Sequence, residues 1–315
     1  MPKLIASLAA AALIFGGTSV PASAAEDTVI KADVDFVMLD KDITVRRMVA
    51  RTPDPKGVVL LLHGFPETLY VWQDVSSALA GDYEVHAFDW PGYGQSSRPA
   101  TGTFAYGPRD YARVLIEYID KAGIDRSKLT IYATDIAGLP ALLAALEQPD
   151  IARSIIVGDF APFDRPAYMQ ERLQALKDAK TGEAVRGQFN ATRDEILENA
   201  MRRGLTPEEQ FEITPTLRAD MAEGWNHGAI STADAFAFYY SQFTRDQNYL
   251  EANLARLGTP VRVVWGGKDV YMDKAMGVEF AARVKANLTV LPGVGHYPHL
   301  QKPALAAAEI RSTLP

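Results

Sequence analysis

Tyr132-Ala133-Thr134-Asp135-Ile136-Ala137-Gly138 is the stretch on which the reading of this chain turns. To its left, Leu129–Ala133 is a short apolar run of strand type; to its right, Ile136–Leu146 reads as a helix. Asp135 therefore stands where a strand runs straight into a helix, with Ala133 two residues before it and Ala137 and Gly138 after. A strained strand-to-helix turn that exposes its central side chain needs such small flanks, because bulky ones clash with neighbouring backbone. An ordinary helix N-cap, a position that favours Asp, fits the same seven residues. The stretch alone does not choose between them; its surroundings do.

Working outward, buried strands and amphipathic helices alternate. Val34–Leu39 and Ile43–Ala50 read as a hairpin around Asp40-Lys41, and Val58–Leu62 and Glu84–Phe88 as strands buried on both faces. A helix is expected near Val71–Ala80. Another carries Tyr111, Val114, Leu115, Tyr118 and Ile119 at helical spacing, with Gly123 as its stop. Ser154–Val157 is a further strand. From about Pro162 to Leu254 only helical signals occur, including Thr192–Glu195 and Thr206–Glu209, both of capping-box form. The strand–helix rhythm returns with Val261–Trp265, a helix near Ala275–Val284, and Leu288–Leu291. This alternation predicts an α/β class with a mostly parallel sheet and right-handed crossovers. The helical stretch is too long for a loop and reads as a lid over the sheet's C-terminal edge, where open α/β sheets bind ligands.

The ends and the overall balance narrow the class. Lys3, the apolar run Leu4–Phe15 and the small-x-small triplet Ala22-Ser23-Ala24 have the order of an export signal. The expected organisation is thus signal 1–24, first core part 25–160, helical cap 161–255 and second core part 256–315. The run is too short for a membrane span, and no later stretch approaches one. With no cysteine among 315 residues there is no disulfide framework and no thiolate metal or redox site. An exported, disulfide-free chain fits a bacterial periplasmic or secreted protein. The net charge of −7, with no basic stripe, argues against nucleic acid or an anionic membrane as partner.

Three more motifs sit at expected strand ends. His63-Gly64-Phe65-Pro66-Glu67 follows the strand Val58–Leu62. An oxyanion hole takes one backbone N–H from such a loop and one from the residue after the nucleophile, here Phe65 and Ile136. Trp265-Gly266-Gly267-Lys268-Asp269 ends a strand, and Gly293-Val294-Gly295-His296-Tyr297-Pro298 follows the last one. Nucleophile, acid, then histidine gives Asp135, Asp269 and His296, with Asp159 of Val157-Gly158-Asp159 as the competing acid. Of the five histidines, only His296 occupies a glycine-flanked loop after a late strand; His86 lies within a strand, His227 in the lid, and His299 suits a structural role. Each motif is weak alone, and their order in strand-end context is what gives them weight.

Together with Asp89-Trp90-Pro91-Gly92-Tyr93-Gly94-Gln95-Ser96, these motifs resemble the α/β-hydrolase-fold epoxide hydrolases and haloalkane dehalogenases, most nearly the secreted bacterial epoxide hydrolases of the Cif type. The resemblance covers nearly the whole chain after the signal, and implies the α/β-hydrolase fold with an inserted helical lid. It implies no cofactor and no metal. The substrate it implies is a small apolar epoxide or halogenated compound.

A carboxylate nucleophile selects the reaction. Asp135 is anionic near neutrality without a base, so His296 is free for a later step. Attack on an ester carbonyl would give an anhydride, whereas attack on an sp³ carbon gives an ester that His296 can hydrolyse by deprotonating water. Haloalkane dehalogenases usually carry Trp after the nucleophile and often Asn after His-Gly as halide donors; here those positions are Ile136 and Phe65. Fluoroacetate dehalogenases carry Arg after the nucleophile, which Ile136 also fails to match. The family's epoxide-opening donors are lid tyrosines, and Phe236-Ala237-Phe238-Tyr239-Tyr240 resembles that segment, with Tyr239 the first candidate and Tyr240 the second. A tyrosine packed between helices fits either position equally. Gln188, where a second donor is expected, can donate a hydrogen bond but no proton; it and His63 are the remaining substrate-binding candidates. Two other readings stay open: a haloalkane dehalogenase with an atypical halide site, and a catalytically silent small-molecule binder.

Overall fold

A computed structural model describes residues 32–314. The expected export signal lies outside them. Eight strands form one sheet: β1 (Asp33–Met38), β2 (Thr44–Ala50), β3 (Val58–Leu62), β4 (Glu84–Phe88), β5 (Leu129–Thr134), β6 (Ser154–Gly158), β7 (Val261–Gly266) and β8 (Asn287–Leu291). Their spatial order is β1-β2-β4-β3-β5-β6-β7-β8. β1 and β2 pair antiparallel, as do β2 and β4; every other neighbour pair is parallel. β3, β5 and β6 are buried at every residue, which is why they read as unbroken apolar runs instead of alternating ones.

Helices α1 (Gln73–Leu79), α2 (Pro108–Lys121), α3 (Gly138–Glu147), α9 (Lys274–Val284), α10 (Pro298–Gln301) and α11 (Pro303–Arg311) accompany the sheet. Between β6 and β7 the described chain is helical: α4 (Glu171–Ala175), α5 (Ala179–Ala191), α6 (Arg193–Asn199), α7 (Pro215–Trp225) and α8 (Thr232–Asn253), with short 3₁₀ turns. The caps differ from those expected. Thr192 turns its hydroxyl back to donate to the Gln188 carbonyl and accepts no N–H from α6. Glu209 does accept the Thr206 N–H, yet it is also drawn to Lys268 and the segment stays a turn. Asp178, Thr214 and the Ser231–Asp234 box cap α5, α7 and α8 instead.

One buried charge cluster ties this helical segment to the sheet. Arg46 on β2 donates to Asp89 at 2.6 Å and to both carboxylate oxygens of Asp220 on α7, at 2.7 and 2.8 Å. Removing one member of such a buried set strands the others, at a typical cost of about 3–5 kcal/mol.

Candidate active site

The site begins at the C-terminal end of β5. Thr134 is still extended, and Asp135 then turns to φ +51° before the helical turn Asp135–Ala137 leads into α3. A non-glycine residue in this left-handed region costs about 1–3 kcal/mol and persists only where its surroundings impose it. Here they do: β5 lies between β3 and β6, and α3 is buried along nearly its whole length. Gly138 shows why the flank must be small, since a Cβ there would stand 2.6 Å from the Phe160 ring.

The motif residues converge on this turn. Asp135 Oδ2 accepts the Phe65 N–H at 2.9 Å. The Ile136 N–H belongs to the first turn of the following helix, where backbone donors lack intrahelical partners. His296 Nε2 stands 3.8 Å from Asp135 Oδ2, too long for a direct hydrogen bond. On its other side, His296 Nδ1 is 2.7 Å from Asp269 Oδ2. Asp269 is held in turn by the Tyr271 and Met272 N–H groups, at 2.7 and 3.1 Å on Oδ1. A carboxylate so bonded is an acceptor, which puts the His296 proton on Nδ1 and leaves Nε2 facing Asp135. Burial alone would lower the His296 pKa, but the two flanking carboxylates, Asp269 first and then Asp135, push it well above the ordinary histidine range.

Asp159, the competing acid, sits beside this pair without reaching the ring through a hydrogen bond. It follows β6 at φ +49°, and its Oδ1 accepts the Gly266 N–H at 2.8 Å. Its Oδ2 is buried with no partner among the described residues. One ligand atom from each of Asp159, Asp269 and His296 lies within 4.8 Å of the others. Burial, then the nearby Asp269 charge, pushes the Asp159 pKa well above the carboxylate range, which favours its protonated form.

A cavity of about 50 Å³, room for a few waters, opens on Asp135 and His296. Phe65, Phe189, Phe236, Leu173 and Ile196 give it apolar walls, and Gln170, Arg172 and Arg203 polar ones. Phe65 stacks on Phe236 with ring centroids 4.1 Å apart. Most of these residues belong to α4–α8, so the helical segment builds the wall facing the elbow.

The other candidates fall out differently. Tyr239 donates its hydroxyl to the Ile136 carbonyl at 3.0 Å and does not line the cavity. Tyr240 does not line the cavity either, but its hydroxyl makes no hydrogen bond among the described residues, and after burial the Asp135 charge is what raises its pKa. Gln188 is exposed and does not line the cavity; its neighbour Phe189 does. His63 is buried behind the loop: its Nε2 accepts the Trp90 N–H and its Nδ1 therefore donates to the Gly64 carbonyl. That arrangement leaves His63 no nitrogen for a substrate. Two lining residues carried no sequence signal of their own. Tyr271, two residues after Asp269, places its ring 5.0 Å from that of His296. Tyr297, next to His296, donates to the Phe65 carbonyl at 2.7 Å.

Known proteins share this frame. Residues 57–303 match the alpha/beta hydrolase fold family. Haloalkane dehalogenase 2 of Mycobacterium tuberculosis is 26% identical over 265 residues, 80% of this chain and 86% of its own length. Among solved structures, Cfl2 from Burkholderia cenocepacia is similar with a TM-score of 0.74 at 20% identity, over 90% of this chain and 95% of that one. Epoxide hydrolase VrEH1 from Vigna radiata has a TM-score of 0.70 at 20% identity, over 89% and 97% of the two chains. With eight strands in a mostly parallel sheet and a family match over most of its length, the chain belongs to the α/β-hydrolase fold family and is a hydrolase.

Proposed function

We propose that this protein hydrolyses epoxides to vicinal diols through an ester on Asp135. The observation that carries the reading is a carboxylate, not a hydroxyl, at the left-handed turn, with Oδ2 on the Phe65 N–H and His296 on its open side. Held so, Asp135 attacks an epoxide carbon through Oδ1. The carbon–oxygen bond of the ring breaks, and the departing oxygen takes a proton. Tyr240 is the better donor of the two lid tyrosines, because Tyr239 already spends its hydroxyl on Ile136. His296 then removes a proton from water, the resulting hydroxide attacks the ester carbon, and the oxyanion forming on Oδ2 is met by the Phe65 and Ile136 N–H groups. Collapse releases the diol and restores the carboxylate. Asp269 holds the His296 tautomer throughout.

Release of halide from a haloalkane is the second reading, favoured by the long match to a named haloalkane dehalogenase. Against it, Phe65 and Ile136 offer no side-chain N–H to a halide. The helical segment 161–255 serves as a cap over the substrate, and the chain is exported to a bacterial periplasm or beyond. Among the described residues no helix is long and apolar enough to cross a membrane.

Trapping tests the proposal. His296→Gln incubated with styrene oxide should gain one substrate mass on the peptide bearing Asp135, and Asp135→Ala should gain none. During wild-type turnover in heavy-oxygen water, label should enter the Asp135 carboxylate before it enters product. A substrate that turns over without adduct or label at Asp135 would refute the mechanism. Halide release from haloalkanes in place of diol would transfer it to the second reading, and a chain that neither reacts with nor is labelled by epoxides and haloalkanes would refute both.

A further inference from the structure

We propose that Glu67 and His299 form a positioning pair that holds the Phe65 N–H in register with His296 for hydrolysis of the ester, an inference that rests on the aspartate-ester reading above. Both side chains are fully buried and neither lines the cavity. Glu67 Oε1 lies 2.6 Å from His299 Nε2, while its Oε2 accepts the Gly64 N–H at 2.6 Å. His299 Nδ1 has no partner among the described residues, so Nε2 is the nitrogen that carries a proton toward Glu67. Trp72 stacks on the imidazole at 4.2 Å and fixes its plane. Burial alone would raise the Glu67 pKa, but the imidazole and the Gly64 N–H outweigh it and hold the carboxyl below its usual range.

The pair spans the two loops that the chemistry must align. Glu67 ends the loop that offers Phe65, and His299 lies three residues past His296, 232 positions along the chain from Glu67. Each polar backbone group around Phe65 is engaged. The Gly64 N–H goes to Glu67 and the Phe65 N–H to Asp135, and the Phe65 carbonyl accepts from Tyr297. Nor is there slack against the nucleophile, since a Cβ at Gly64 would meet the Asp135 Cβ at 2.6 Å. An isolated buried carboxylate costs several kcal/mol. A turn needing only shape could be built from apolar side chains, whereas a carboxylate that accepts short bonds from both the imidazole and the backbone fixes direction as well.

The two chemical steps depend on this direction unequally. During ester formation negative charge leaves the Asp135 carboxylate for the ring oxygen, so a displaced Phe65 N–H loses little. During hydrolysis the charge returns to Oδ2 as water adds to the ester carbon, and there the donor must already be aimed. The pair therefore acts on ester decay, without touching substrate.

Rapid-quench mass spectrometry of the Asp135 peptide with styrene oxide separates the steps. A misplacement of about 1 Å costs about 10²-fold, so Glu67→Ala should slow ester decay by roughly that factor and change ester formation by no more than about threefold. Glu67→Gln, whose carbonyl still accepts from Gly64, should regain most of the loss. His299→Phe keeps the stack on Trp72 and removes the N–H, so it should slow decay too; it carries the comparison if Glu67→Ala does not fold. Ester decaying at the wild-type rate in these variants, or formation and decay slowing in parallel, overturns the proposal. No ester on Asp135 in wild type and His296→Gln alike would instead defeat the underlying reading.

Discussion

Replacing Asp159 by Asn, beside the same change at Asp269, probes the electrostatics of the site most directly. Burial favours the protonated form of Asp159, and its Oδ1 only accepts from Gly266, so an amide can occupy its place and keep that bond. Asp159→Asn should change ester hydrolysis by less than about threefold. Its effect on stability follows from linkage. The folded-state pKa of Asp159 is raised above its unfolded value, so the folded chain holds a proton that the unfolded chain has released. The stability this proton represents is full below the unfolded pKa and is lost as pH rises toward the folded one, by up to about 1.4 kcal/mol per pH unit. Asn has no proton to lose. Urea unfolding at several pH values from 5 upward should therefore show Asp159→Asn gaining on wild type by up to about that slope. Asp269→Asn differs in kind, because the His296 Nδ1–H loses the acceptor 2.7 Å away and the wrong tautomer becomes favourable. In single turnover it should slow ester decay by about 10²–10⁴-fold while ester formation, which needs no base, continues. If Asp159→Asn stalls decay and Asp269→Asn does not, or if the unfolding difference between Asp159→Asn and wild type does not move with pH, the account given of the two acids is wrong.

Two further outcomes are expected. Tyr240→Phe should slow ester formation from an epoxide by about 10²–10⁴-fold, the usual range for a positioned proton donor, whereas Tyr239→Phe, which removes a bond to the Ile136 carbonyl, should do so far less; stopped-flow single turnover distinguishes them, and a slower Tyr239→Phe would return the role to that residue. For export, N-terminal sequencing of chain secreted by a bacterial host should start at or near Ala25, after Ala22-Ser23-Ala24. An uncleaved cytoplasmic chain would count against it.

Much of the fold was legible because its strands are buried on both faces. Val58–Leu62 and Glu84–Phe88 are bounded in the structure as their apolar runs suggest, and the return of strands after Pro260 is where the rhythm puts it. The motif order likewise brought Asp135, Asp269, His296 and Phe65 within reach of one another. What stayed hidden depends on rotation and on long-range pairing. Tyr239 and Tyr240 are neighbours on α8, about 100° apart around its axis, so at most one can aim a hydroxyl at a given point. Sequence fixes that angle only when the whole packing is known. The same step of one residue on α5 turns Phe189 into the cavity and Gln188 out to solvent. Glu67 and His299 are apart by most of the chain, and nothing local announces that they meet.

The charge on His296 ties the two halves of the proposed reaction together. In the resting site it stands between Asp135 and Asp269, and their negative charge outweighs the cost of burying an imidazolium. A protonated histidine cannot take a proton from water, so the resting site is poised against hydrolysis. Esterification of Asp135 turns one of those carboxylates into a neutral group and removes one of the interactions that hold the proton. With each pKa unit worth about 1.4 kcal/mol, loss of a single close charge in a buried site can bring the imidazole back toward neutrality. The proton it gives up restores the Tyr240 hydroxyl, which has protonated the oxygen freed from the ring. His296 is thus made a base by the step whose product it must hydrolyse. Asp269 remains beneath it, bonded to two backbone N–H groups, and keeps the vacated Nε2 turned toward the ester. Had the nucleophile been a serine, attack would have left the number of carboxylates beside the histidine unchanged, and this switching would not occur. In the proposed reaction the carboxylate at the elbow therefore both chooses an sp³ carbon as its target and times the base that frees the product.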